Sequence, residues 1–93
     1  SALVALIKPQ FEAGKGEVGK NGVVRDNAVH RRVLNSVIAS AGDFGLQLGG
    51  LAASPLKGPA GNIEFLGYFL RGSSAESIDP TNAVEAALAE APR

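Results

Sequence analysis

The chain has 93 residues, and its nine Lys and Arg balance nine Asp and Glu, so its formal net charge is zero. This length allows one domain at most, and the neutral balance gives no overall basic field of the kind that marks many nucleic-acid binders. The lack of cysteine excludes disulfides and thiolate metal sites, and one histidine makes no zinc site without several carboxylates. No apolar run approaches the roughly 20 residues of a membrane helix. The composition therefore predicts a soluble, cytoplasmic protein without a metal.

The first predicted element is a strand over the apolar run that begins at Leu3 and ends at Ile7. An apolar run without polar alternation is typical of a strand buried on both faces, as in a parallel α/β sheet. Pro9 cannot donate to a sheet ladder, so we expect the strand to stop near Lys8. Lys8 then lies at the carboxyl end of a strand, where open α/β sheets bind their ligands. The position fits a functional lysine, or a lysine that only marks the exit of the strand into solvent.

Residues 13–26 are rich in glycine and charge, which indicates a loop with turns rather than a regular element. Its cations are Lys15, Lys20 and Arg25. The loop is not a phosphate-binding P-loop, because Asn21 stands where that motif requires Ser or Thr. It is either a solvated, mobile segment or a flap beside Lys8 whose cations contact phosphate.

A helix is predicted next, with Asp26 as its N-cap and Gly42 at its end. Its apolar stripe is expected to contain Val29, Val33, Leu34, Val37, Ile38 and Ala41. His30 lies off this stripe, so we predict a solvated helix residue. A catalytic role is disfavoured because no Ser or Cys nucleophile has a motif that would recruit this histidine.

Two further strands are predicted over residues 44–51 and 63–70, separated by a turn-rich loop at residues 52–62. The helix that joins the first two strands predicts that they are parallel, in a right-handed βαβ unit. A loop without a helix favours an antiparallel third strand. If that strand lies between the first two, its start adjoins their carboxyl ends.

This topology makes Glu64 a neighbour of Lys8, and these two charged residues interrupt otherwise apolar strands. A glutamate in such a strand is rarely buried alone, so we expect a direct or water-bridged contact between the two side chains. The pair is either part of a catalytic site or a structural ion pair. Both arrangements perturb the pKa values of the groups involved, so a perturbed pKa would not distinguish between them.

Beyond Arg71 the pattern changes. Residues 73–77 have the composition of a linker, and Asp79-Pro80 is an N-cap followed by proline at the first helical position. Val84 and Leu88 then fall on one face of an Ala/Glu-rich helix. The predicted organisation is therefore one unit over residues 1–72 and an appended linker and helix over residues 73–93.

Several short motifs, taken in their order and spacing, resemble the carboxyl-terminal half of the TlyA, or hemolysin A, family, which belongs with the FtsJ-like RNA ribose methyltransferases. They are Lys8-Pro9-Gln10-Phe11-Glu12, Val18-Gly19-Lys20, Gly22-Val23-Val24-Arg25-Asp26, Ser54-Pro55, Gly58-Pro59 and Gly61-Asn62-Ile63-Glu64-Phe65. The resemblance implies an α/β fold, namely the β-α-β-β carboxyl-terminal part of a Rossmann-like sheet that binds S-adenosylmethionine. It also implies 2′-O-methylation of ribose in ribosomal RNA.

The resemblance places the second lysine of the family's Lys-Asp-Lys-Glu catalytic pattern on Lys8 and its glutamate on Glu64. Lys8 would accept or steer the proton of the ribose hydroxyl, and Glu64 would orient the lysines and balance their charge. The proposed contacts to ribosomal RNA or the ribosomal subunit are Lys15, Lys20, Arg25, Ser54, Lys57 and Asn62.

The family's glycine-rich cofactor turn, first catalytic lysine, aspartate and S4 RNA-binding domain have no counterpart in this sequence. We therefore expect a fragment that neither binds S-adenosylmethionine nor turns over alone, and that self-associates through its open first strand, Leu3 to Ile7. Two alternatives remain open, a non-catalytic RNA-binding module and a membrane-active cytolysin. The second is disfavoured because the amphipathic helices lack a basic face and large apolar anchors.

Overall fold

The computed structural model describes residues 2–14, 16–72 and 76–92, with Lys20 and Pro59 described by their backbone alone. These residues form, in chain order, β1 (Ala2–Ile7), α1 (Pro9–Glu12), α2 (Asn27–Asp43), β2 (Leu46–Ala53), β3 (Phe65–Arg71) and α3 (Pro80–Glu90). Single 3-10 turns at Lys20–Gly22 and Pro59–Gly61 interrupt the two long loops. The result is a small α/β fold.

Strand β3 forms the centre of a three-stranded sheet of order β1-β3-β2 and runs antiparallel to both neighbours. The predicted strand order and directions are therefore confirmed. The boundaries differ from the prediction because α2 continues to Asp43 and the chain turns at Gly45, whose φ of 78° is left-handed. Strand β2 consequently begins at Leu46, and β3 begins only at Phe65.

Alternation along β3 shows which face of the sheet is covered. Phe65 and Phe69 are buried, whereas Leu66 and Tyr68 are 41% and 38% exposed. Helices α2 and α3 pack on β2 and on each other and cover the Phe65 face. The buried core consists of Ile7, Val24, Val29, Val33, Leu34, Phe65, Val84, Ala87 and Leu88. The opposite face of the sheet is apolar and open.

Helix α2 begins as predicted, because the Asp26 side chain accepts a hydrogen bond from the Ala28 N–H at 2.8 Å. The prediction of a solvated His30 is wrong. His30 is 2% exposed, its Nε2 donates to the carbonyl oxygen of Val24 at 3.0 Å, and its ring meets Phe65 edge-on at 6.0 Å between centroids. A backbone carbonyl satisfies the ring nitrogen, so the histidine extends the buried face of the helix.

Helix α3, which the sequence predicts as an appended helix, packs against the same core. The side chain of Asp79 caps its start by accepting from the Thr81 N–H at 3.1 Å. Arg31 on α2 forms two hydrogen bonds, of 2.6 and 2.9 Å, to the Glu85 carboxylate. The hydrogen bond from Arg31 lowers the pKa of Glu85, but both side chains are largely exposed, so burial of Val84 and Leu88 dominates the docking.

The prediction that β1 is buried on both faces is wrong for most of the strand. Ile7 is buried, but Leu3, Val4 and Leu6 are 50%, 65% and 52% exposed. Among the described residues β1 pairs only with β3, and the helices pack mainly on β2, with Ile7 as the buried residue of β1 in their shared core. The outer edge of β1 and most of its apolar side chains therefore face outward.

The open edge of β1 leads to a prediction for the 93-residue chain in solution. We expect it to self-associate through β1 as a two-fold dimer, because an exposed apolar edge strand pairs readily with another chain and closed two-fold dimers are the commonest assembly. Sedimentation equilibrium over a wide concentration range measures this. A charge on the strand in Val4→Lys should shift the chain towards monomer, and a compact wild-type monomer at every concentration would contradict the prediction.

Candidate active site

The carboxyl end of β1 and the start of β3 bring Lys8 and Glu64 together. Ile7 pairs with Phe65 at the end of the antiparallel ladder between β1 and β3. Continuing this register by one residue places Lys8 opposite Glu64. On the other side, the Ser54 N–H donates to the Glu64 carbonyl oxygen at 2.8 Å. Residues from three strand ends therefore align at one edge of the sheet, with Glu64 in the middle.

Lys8 keeps an extended backbone, with φ −115° and ψ 99°, and Pro9 immediately starts the short helix α1. Proline at the first helical position ends the strand as predicted, but the helical turn itself was not predicted. Since strand neighbours in register share a face of the sheet, Lys8 and Glu64 lie on the face opposite to Ile7 and Phe65.

A direct or water-bridged contact was expected between the two side chains, and the direct ion pair is not formed between them in this structure. Among the described residues, the ion pairs join Arg31 to Glu85 and Arg32 to Glu17. The Lys8 ammonium instead lies 6.0 Å from the centroid of the Phe11 ring. Lys8 and Glu64 are thus neighbours in register whose charged groups do not meet.

Two buried acceptors at this edge have no hydrogen-bond partner in the described part of the chain: Oε2 of Glu64 and Oε1 of Gln10. Gln10 lies on α1, two residues after Lys8. Buried polar atoms are nearly always satisfied, so each exception calls for an explanation. Two unsatisfied acceptors beside one lysine suit a site that receives donor groups from a substrate or from the lysine itself.

Asn62 connects the two long loops. It is 2% exposed, its Oδ1 accepts from the Val24 N–H at 3.0 Å, and its Nδ2 donates to the Gly22 carbonyl at 2.8 Å. Its own carbonyl accepts from the Gly58 N–H at 2.8 Å. Both polar atoms of the buried amide are hydrogen-bonded to the backbone of the other loop, so its position gives no support to the expected RNA contact and assigns it to holding the loops together.

The loop at residues 13–26 is anchored at several points, against the expectation of a solvated, mobile segment. Val23 and Val24 are buried, and Glu17 forms an ion pair with Arg32 of α2. The Gly19 N–H also donates to the Val23 carbonyl at 2.8 Å. The second half of this loop is therefore part of the folded core.

The two loops enclose an open cleft of about 430 Å³, and Arg25 from one loop and Lys57 from the other both line it. Its remaining lining includes Ala60 and Gly61, at φ 62° and 88°. Of the other expected RNA contacts, Lys15 and the side chain of Lys20 lie outside the described residues. Ser54 Oγ donates to the Leu56 carbonyl at 3.0 Å, within its own turn.

None of the helices described here is long and apolar enough to cross a membrane. The described residues also contain no cluster of His, Asp or Glu that could hold a metal ion.

Comparison with known proteins identifies the family. The model of the FtsJ-like methyltransferases matches residues 1–71, which is well over half of the chain. The chain belongs to the FtsJ-like methyltransferase family. The resemblance found from the motifs around Lys8 and Glu64 is thereby confirmed.

Relatives of this FtsJ-like chain are considerably longer. Hemolysin A of Brachyspira hyodysenteriae is 45% identical over 72% of this chain and 28% of that protein. The 16S/23S rRNA (cytidine-2′-O)-methyltransferase TlyA of Mycobacterium tuberculosis is 42% identical over 97% of this chain and 34% of that protein. A solved structure from Streptococcus thermophilus, named as a hemolysin, has a TM-score of 0.80 and 43% identity over 96% of this chain and 33% of its own. The chain thus spans 28% to 34% of the length of these relatives.

The family model ends at residue 71, whereas the matches to the mycobacterial relative and to the Streptococcus thermophilus structure cover 97% and 96% of the chain and so include α3.

Proposed function

We propose that this chain is the segment of a ribosomal RNA 2′-O-ribose methyltransferase that acts on the ribose hydroxyl. The observation that carries the proposal is the alignment of Lys8 with Glu64 at one edge of the sheet. Glu64 Oε2 and Gln10 Oε1 are buried there without a hydrogen-bond partner among the described residues. Membership in the family and the name of the mycobacterial relative support it. The proposed context is a Rossmann-like methyltransferase domain for residues 1–72, with residues 73–93 as its tail, in the cytoplasm where ribosomal subunits are found.

The proposed roles follow from the chemistry of the reaction. A ribose hydroxyl is a poor nucleophile because its proton is tightly held, and lysine can accept that proton only as a free amine. Lys8 would receive this proton at its amine nitrogen. A bound sulfonium donor would supply the methyl group, and its carbon–sulfur bond would break as the oxygen–carbon bond forms, which leaves a neutral thioether. Glu64 accepts a hydrogen bond from the resulting ammonium through its unpaired Oε2. The remaining rate enhancement comes from positioning the hydroxyl.

The resemblance implies S-adenosylmethionine as the methyl donor, but the described residues do not fit a site for it. Strand β1 leads into Pro9 and helix α1 rather than into a glycine-rich turn. The cleft between the loops is lined by Arg25 and Lys57, and such a lining suits an anion rather than the positively charged sulfonium. The roles proposed for this chain therefore concern the hydroxyl and the RNA.

The test uses a full-length protein that carries this segment, incubated with S-adenosylmethionine and ribosomal subunits. Mass spectrometry of the digested RNA should show a new 2′-O-methylated nucleoside. The 93-residue chain alone should produce none, since its described residues include no glycine-rich cofactor turn after a strand. Stable binding of the full-length protein to the subunit without any methylation would instead support a non-catalytic RNA-binding module.

The cleft gives a separate prediction for RNA affinity. In the full-length protein, Arg25→Ala or Lys57→Ala should weaken RNA binding across sequences and lower the slope of log K against log salt by about 1 each, as expected for one phosphate contact. Filter binding between low and moderate salt measures both. Arg71→Ala removes an exposed cation at the other end of β3 and is the matched control. Equal salt slopes for all four proteins would contradict the phosphate contacts.

A further inference from the structure

We infer that Gly58 is a positioning residue for the Glu64 carboxylate. The kinetic consequence of this inference rests on the proposed function. The two residues touch although no hydrogen bond joins them. A Cβ added at Gly58 would lie 2.6 Å from Cδ and 3.1 Å from Oε1 of Glu64, and closer still to Oε2. Non-bonded carbon atoms do not approach to 2.6 Å, so the carboxylate occupies the space that a side chain at position 58 would need.

The backbone at Gly58 does not itself require glycine. Gly58 is absent from the glycines with left-handed φ, in contrast to Gly61 at 88° in the same turn, and even Ala60 adopts φ 62°. An alanine at position 58 is therefore compatible with the local chain conformation. The need for glycine arises from the Glu64 side chain alone.

The surroundings of the pair determine which partner moves when a Cβ is added. Gly58 is held in its turn, since its N–H donates to the Asn62 carbonyl at 2.8 Å and its carbonyl accepts from the Gly61 N–H at 3.0 Å. Glu64 Oε2 makes no hydrogen bond among the described residues, so packing rather than bonding fixes its place. A Cβ at position 58 therefore displaces the carboxylate and leaves the turn in place.

The first test follows the carboxylate directly in the 93-residue chain. Carboxyl carbons of glutamate, labelled with ¹³C, are observed by NMR in wild type, Gly58→Ala and the control Gly42→Ala. Gly42 lies in α2 with nothing within 4 Å of an added Cβ. We expect the Glu64 signal to move more than any other glutamate signal in Gly58→Ala and to stay in place in Gly42→Ala. An unmoved Glu64 signal in a folded Gly58→Ala chain would overturn the inference, whatever the reaction.

The second test measures methyl transfer in the full-length protein with a double-mutant cycle. Gly58→Ala should lower kcat by about 10- to 100-fold, the cost of misplacing a reacting group by roughly 1 Å, with KM for RNA unchanged. In a Glu64→Ala background it should cause no further loss, because the group it displaces is already gone. Equal losses in both backgrounds would show that Gly58 acts independently of Glu64. Full activity of Glu64→Ala would contradict the proposed function. The packing role of Gly58 would still be decided by the NMR experiment, which does not depend on activity.

Discussion

Replacement of Lys8 by alanine in a full-length protein that carries this segment should lower methyl transfer by about 10²- to 10⁴-fold, the usual contribution of a general acid or base. Lys8 is the residue in register with Glu64 at the edge where the hydroxyl is proposed to lie. Affinity for S-adenosylmethionine should change little, because Lys8 is proposed to act on the ribose hydroxyl. Single-turnover methylation and equilibrium binding of the cofactor measure the two effects separately.

Lys8→Arg is the informative control for this prediction. Arginine keeps the positive charge but remains protonated, so it cannot accept the hydroxyl proton. If Lys8 acts as a base, Lys8→Arg should be nearly as inactive as Lys8→Ala. If it only attracts RNA, Lys8→Arg should retain most of the activity. Full methylation by Lys8→Ala would remove Lys8 from the proposed mechanism altogether.

Replacement of Asn62 by alanine should produce the largest loss of stability in the candidate site. The substitution leaves the buried Val24 N–H without its partner and also removes the part-buried hydrogen bond to the Gly22 carbonyl. An unsatisfied buried group costs about 1–3 kcal/mol, so we expect the free energy of unfolding to fall by about 2–4 kcal/mol. Urea unfolding of the 93-residue chain measures this loss.

Asn35→Ala is the matched control, because Asn35 is an exposed residue within α2. Alanine is the better helix former, so its effect should lie within about 0.5 kcal/mol of wild type. Hydrogen exchange should also accelerate at Val24 in Asn62→Ala and remain unchanged in Asn35→Ala. A stable Asn62→Ala chain with slow exchange at Val24 would show that the two loops are held by other contacts.

The sheet topology was predictable because each connection has a local physical cause. The first two strands run in the same direction because a long helical pattern joins them, and the third runs against both because no helical pattern precedes it. Pro9 marks the end of β1, and Asp26 and Asp79 mark helix starts through capping groups that act within a few residues. From these features alone, the neighbouring positions of Lys8 and Glu64 were predicted, and the β1–β3 register, which ends one residue away at Ile7 and Phe65, is consistent with them.

Other features depend on partners that are remote in sequence. Asn62 looks like a solvated residue in a glycine-rich loop, and only its bonds to residues 38 and 40 positions away reveal its role. His30 lies off the apolar stripe of α2, and the carbonyl that permits its burial belongs to the preceding loop. The separation of the Lys8 ammonium from Glu64 depends on a side-chain conformation, which periodicity does not determine.

The central place of β3 also governs the order in which the chain can fold during synthesis. β1 and β2 both precede β3 in the chain, and among the described residues each pairs in the sheet with β3 and not with the other. Until β3 leaves the ribosome, these two strands therefore lack the strand that joins them. Backbone pairing on both sides of β3, and the alignment of Lys8 with Glu64, arise together once residues 65–71 emerge. Translation that stalls before this point leaves an open, aggregation-prone chain rather than a partly formed site.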